Sequence, residues 1–267
     1  MVPALSVIFI IINLLLGIAI PVGLCIFFRK KYHASLQSFF VGCGVMFLFA
    51  LVLEQIVHAL VLGSGIGTTI TNNIWLYALY GGLMAGLFEE TGRFLAMRLV
   101  LKNEHSDAHN ALMYGAGHGG FEAMMILTLG MLNNLIYSVM INTGQTQVLL
   151  APLDEATKAT LQTAFDTLIS TPSWQFVMSP MERIAAIAAQ IALSVIVWFA
   201  ASGKKCRVSL LLLAIAFHAI LDAVSVLASR LGMPIIGVEG LIWLMAACFV
   251  VLAWTIWKKM CTDSEKL

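Results

Sequence analysis

The sequence predicts an all-α fold, a polytopic transmembrane helical bundle of about seven spans. Three observations carry that prediction. Of 267 residues, 60% are hydrophobic and only 11% are charged, with a mean hydropathy of +0.94, which is too little polar surface to cover a water-soluble globule. Apolar stretches of roughly the 20 residues that a helix needs to cross a bilayer recur along the whole chain. Basic residues gather at alternate ends of those stretches.

The first stretch, roughly residues 4–28, has no basic leader and no small-residue cleavage site and is longer than a signal-peptide core, so it is expected to remain attached. The second, 35–62, carries Glu54 and His58 one helical turn apart, near its outer end, and these are read as structural or cavity-lining. The third, 74–101, places Glu89, Glu90 and Arg93 after Gly81, Gly82 and Gly86. The fourth, 108–140, sets His118 and Glu122 among Gly115, Gly117, Gly119 and Gly120 and is long enough to tilt or to bend at Gly130. Such glycine clusters let helix backbones approach closely in lipid. A polar interruption, 141–179, follows; Asp154 can cap an amphipathic helix on the outer interface whose Leu161, Phe165 and Leu168 share a face. Ser179, Pro180 and Glu182 predict the start of the fifth span, 180–202. The sixth, 207–230, carries His218 and Asp222, and the seventh, 235–257, has Glu239 near its outer end. With no tandem repeat or long linker, residues 1–267 read as a single integral-membrane domain.

Arg29, Lys30, Lys31, Arg98, Lys102, Lys204, Lys205, Arg207, Lys258, Lys259 and Lys266 fall on one side, against Lys158, Arg183 and Arg230 on the other. The positive-inside rule then puts the N-terminus outside and the C-terminus in the cytoplasm, as an odd number of spans requires. A bacterial plasma membrane is the expected location. The five cysteines show no CxxC spacing and imply no disulfide framework. A formal net charge of +1 argues against a nucleic-acid partner, and the basic residues are explained by topology.

Charge inside such spans costs roughly 3 kcal/mol per group on insertion scales, so it usually faces a polar cavity with a function. Counting about 1.5 Å per residue from the cytoplasmic ends, Glu89 and Glu90 lie roughly 18 Å deep and His118 and His218 roughly 15 Å. Three helices thus bring ionisable groups to one depth. Glu89 and Arg93, His118 and Glu122, and His218 and Asp222 are each four residues apart and share a helix face. Arg93 can reach either glutamate, leaving the other as a general base. The structural alternatives are a buried ion pair at Glu89, Glu90 and Arg93, and core histidines at 118 and 218.

FEETGR at Phe88–Arg93, YGAGH at Tyr114–His118 and FHAILD at Phe217–Asp222 resemble the three motifs of the type II CAAX prenyl protease and bacteriocin-processing superfamily. FEETGR followed by GAGHGGFE is similar, more closely, to the YhfC-type branch of intramembrane metalloproteases. The match covers spans three to six. It departs at the first motif, where EExxxR is usual and this chain has EExxR, so which glutamate plays which part is open. The resemblance implies a catalytic core at about 74–230 around a cytoplasm-accessible chamber, hydrolysing a peptide bond in a peptide or membrane-protein substrate. Glu89 or Glu90 with His118 would activate water, His218 and Asp222 would bind the oxyanion, and Arg93 would orient a glutamate.

A metal is the rival arrangement, with zinc held by His118, His218 and carboxylates drawn from Glu122 and Asp222, and water at an open position. No HExxH is present. Ionisable chains also serve transport, so a membrane transporter or a non-catalytic substrate-binding scaffold is the alternative class. An inverted repeat or paired broken helices would favour transport, and neither is visible.

Overall fold

A computed structural model describes residues 1–202 and 207–264, the last three of these as backbone only. Lys204, Lys205, Cys206 and Lys266, used above for topology and cysteine chemistry, lie outside the described residues. Among the described residues the regular structure is helical throughout. Six helices are long and apolar enough to cross a bilayer: Ala4–Tyr32, Leu36–Leu62, His109–Thr143, Ser173–Ala201, Val208–Arg230 and Ile235–Cys261. The expected third span is the helix Ile74–Leu95. It is not among the six because Glu89, Glu90 and Arg93 crowd its second half. With it, all seven expected segments are helical.

The chain divides into two compact units: Met1–Ile20 with Ala123–Arg183, and Pro21–Glu122 with the chain from Ile184 onward. The three divisions that the sequence reading lacked fall inside unbroken helices, so no linker could signal them. In the first unit, Asp154 caps the helix Glu155–Ser170 by accepting from the Thr157 amide at 3.0 Å. Phe165 and Leu168 are buried on the expected face, Phe165 meeting Tyr137 edge-on at 5.2 Å. Leu168 joins Val2, Ile10, Met131 and Phe176 in that unit's core. The predicted start of the fifth span is displaced: a 3-10 turn, Ser173–Val177, leads into an α-helix that begins at Met178, so Ser179 stands inside the helix rather than capping it. A tighter turn winding straight into an α-helix leaves no separate cap position.

In the second unit, the Ile184–Ala201 portion of its helix is the most enclosed element, with Leu193, Ile196, Val197 and Trp198 buried in the main core. The Glu89 helix packs directly on the His218 helix. A side chain at Gly82 would meet the Ala219 carbonyl oxygen at 2.3 Å, and one at Gly86 the Ile215 oxygen at 2.7 Å. Glycine is the only residue that lets these backbones touch, as lipid-embedded packing favours. Stretches of wider π-helix interrupt three of the helices: Met46–Glu54, Ala96–Val100 and Met125–Leu129. The first ends at Glu54, and the other two begin three residues after Arg93 and Glu122.

Candidate active site

Every ionisable residue singled out for chemistry lies in the second unit. Glu89, Glu90, Arg93, His118 and His218 are all buried. Nε2 of His118 is 2.8 Å from Glu89 Oε2. Nδ1 of His218 is 2.8 Å from Glu90 Oε1, and the Arg93 guanidinium lies 3.3 Å from Glu90 Oε2. The two glutamates are therefore divided in their partners: Glu90 is neutralised by arginine and fixes one histidine, and Glu89 bonds the other histidine. Around the free face of His218, Nε2 stands 3.9 Å from Glu89 Oε1 and 3.6 Å from Asp222 Oδ2. Both gaps exceed a direct hydrogen bond and suit a bridging water.

Sequence reasoning missed the residue that ties this cluster together. Gln190 donates from Nε2 to Glu89 Oε2 and to Glu122 Oε2, each at 3.1 Å, and its Oε1 accepts from Arg93. Its backbone oxygen accepts from Ser194 at 2.7 Å. Glu122 is thus joined to the site through an amide on a neighbouring helix. Gly119 makes room for that amide, because a side chain there would come within 2.8 Å of Gln190 Cβ. The signal available was one glutamine inside an otherwise apolar span, the usual form of polar adhesive between membrane helices.

Glu54 adds to the buried polar set. Placed near the outer end by residue counting, it is only 6% exposed and lies in electrostatic range of Glu89, His218 and Asp222. It accepts from or donates to His58 Nε2 at 3.1 Å, and His58 Nδ1 meets the Tyr80 hydroxyl at 2.9 Å. Tyr114, from the YGAGH run, stacks on His118 with ring centres 6.0 Å apart. Among the described residues its buried hydroxyl and Nδ1 of His118 have no hydrogen-bond partner.

Residues 16–243 match the sequence profile of the YhfC intramembrane metalloprotease family. The "Uncharacterized membrane protein YhfC" of Bacillus subtilis (strain 168) is 39% identical over 227 residues, 84% of this chain and 86% of the relative. The chain belongs to the YhfC intramembrane metalloprotease family. No solved structure matches it. The family's description implies a metal, and the donor set can be tested for one. Among the described residues no three His, Cys, Asp or Glu side chains are arranged to hold an ion. A metal-ligating histidine normally gives its second ring N–H to a carboxylate, carbonyl or water that fixes the tautomer. His118 Nε2 and His218 Nδ1 each have such a carboxylate partner, Glu89 and Glu90, and among the described residues His118 Nδ1 has no hydrogen-bond partner. Each histidine is thus oriented by a glutamate as a ligating histidine would be, with Asp222 3.6 Å from His218 Nε2, although the described side chains form no three-ligand cluster.

Proposed function

We propose that the chain is an intramembrane peptidase that hydrolyses a peptide bond in a peptide or membrane-associated protein, with water activated by Glu89 and His118. The observation that carries this reading is the buried Glu89–His118 pair at 2.8 Å facing a histidine held by the Glu90–Arg93 pair. Glu89 suits the base better than Glu90, whose two oxygens already face His218 and Arg93. A water in the space between Glu89 Oε1 and His218 Nε2 gives its proton to Glu89 as its oxygen bonds to the scissile carbonyl carbon. The oxyanion that forms takes hydrogen bonds from His218 Nε2–H and from Asp222 if that carboxyl is protonated. The proton held by the Glu89–His118 pair then passes to the amide nitrogen as the C–N bond breaks. General acid–base and oxyanion groups typically contribute two to three orders of magnitude each.

The fit to a family of intramembrane metalloproteases supports the class, and the geometry supports the assignment of roles. The test is proteolysis of candidate membrane peptides by purified protein, with and without chelator, alongside metal analysis of the same preparation. Glu89→Gln and His118→Ala should abolish cleavage, and His218→Ala should slow it by roughly two to three orders of magnitude. Full cleavage by folded forms of all three variants overturns the reading. Stoichiometric metal lost in His118→Ala and His218→Ala would replace the proton-transfer scheme with a ligand role for both histidines.

A further inference from the structure

Away from the polar cluster, the second unit has a cavity of about 400 Å³, within the range of small-ligand pockets. Its walls are apolar: Leu112, Ala188, Ile191, Ala192, Val195 and Ala253. Aromatic rings rim it. Tyr32 and His109 stack at 4.5 Å and 14°, and His109 lies 5.6 Å from Trp257. The neighbouring helix residue Gln190 points instead to Glu89, so one helix separates the cavity from the polar cluster.

Two cations are seated on the rings of this rim. Lys31 Nζ stands 5.2 Å from the centre of the Tyr32 ring, and Lys258 Nζ 4.9 Å from that of Trp254. Arg29, Lys30 and Lys259 are exposed beside them at the same two helix ends. A hydrocarbon slot closed by amphipathic rings and cations has the polarity of a phospholipid, tail to head. Aromatic rings favour the headgroup level, and clustered lysines next to a span attract anionic lipid.

We propose that this cavity binds an anionic phospholipid, with an acyl chain along the apolar wall and the phosphate at Lys31 and Lys258. The site stands independently of the peptidase reading. A zwitterionic lipid carries no net charge for these cations to attract, and an apolar protein helix is too wide for a slot of this volume.

The test uses purified full-length protein and native mass spectrometry after exchange against phosphatidylglycerol or phosphatidylcholine with identical chains. Phosphatidylglycerol should be retained about tenfold or more over phosphatidylcholine, since each lysine contributes measurably near an anionic group. Lys31→Ala with Lys258→Ala should abolish that preference. Val250→Trp, at a half-exposed position on the cavity wall, should reduce retention of both lipids. A phosphatidylglycerol with a photoreactive acyl chain should label peptides containing Leu112 or Ile191. Equal retention of the two lipids by the natural chain, labelling elsewhere, or occupation of the cavity by a second copy overturns the proposal. The two surface lysine variants keep the test decisive if Val250→Trp fails to fold.

Discussion

Gln190 carries more of the site than any residue the motifs name, because one amide serves Glu89, Glu122 and Arg93 together. Replacing it by alanine strands buried charges without their partner, a loss of about 3 kcal/mol by the usual cost of breaking buried polar pairs. Thermal unfolding in detergent should show that loss, and an unchanged midpoint would mean the amide is dispensable. Arg93→Ala should be at least as damaging, since the guanidinium and Glu90 are both fully buried. The charged triplets were legible in the sequence because carboxylates and histidines in apolar runs are rare. The amide was not, because a lone glutamine carries no spacing rule.

Helix contacts sharpen the reading of the glycines. Gly82 touches the His218 helix, whereas a side chain at Gly81 would meet nothing within 4 Å. Gly82→Val should therefore cost about 1–3 kcal/mol, and Gly81→Val should stay within about 0.5 kcal/mol; equal midpoints would refute the contact. Pattern alone marked both as packing glycines, because sequence does not say which way a helix is turned. In the loop before His109, His105 bonds the Met97 carbonyl at 2.9 Å and meets Trp198 edge-on at 4.9 Å. Burial holds its pKa below the ordinary 6.5, with a nearby Arg98 pushing the same way and the Met97 hydrogen bond opposing. The unfolded chain then binds the proton first, so this loop's stability is complete above about pH 6.5 and declines as pH falls below it. Hydrogen exchange across 101–108 should quicken on acidification, and His105→Phe should remove that pH response. Asp154→Ala should loosen the helix Glu155–Ser170, quickening hydrogen exchange over its first turn, because it removes the cap on the Thr157 amide.

At the scale of the whole chain, the predicted orientation places the ends carrying Lys31 and Lys258 in the cytoplasm and Asn72 outside. Cysteines introduced at Asn72 and Lys258 should react with an impermeant reagent from opposite sides of sealed vesicles, and labelling from one side alone would overturn the topology. Composition alone made the helical membrane class legible, because few folds tolerate such apolarity. The division into two units was illegible because it cuts three helices without any change of composition. The π-helical turns bear on how such a protein changes over time. A residue added to a regular helix turns everything beyond it by about 100°, unless a bulge absorbs it and keeps both flanks in phase. Met46–Glu54 holds Phe39 and Gly42 on one side of such an insertion and Glu54 and His58 at its far end. A lineage that lost a single residue there would close the bulge into ordinary α-helix with its Glu54–His58 pair still facing the interior, whereas the same loss in the bulge-free turns that follow Glu54 would swing His58 a quarter-turn away from its partner.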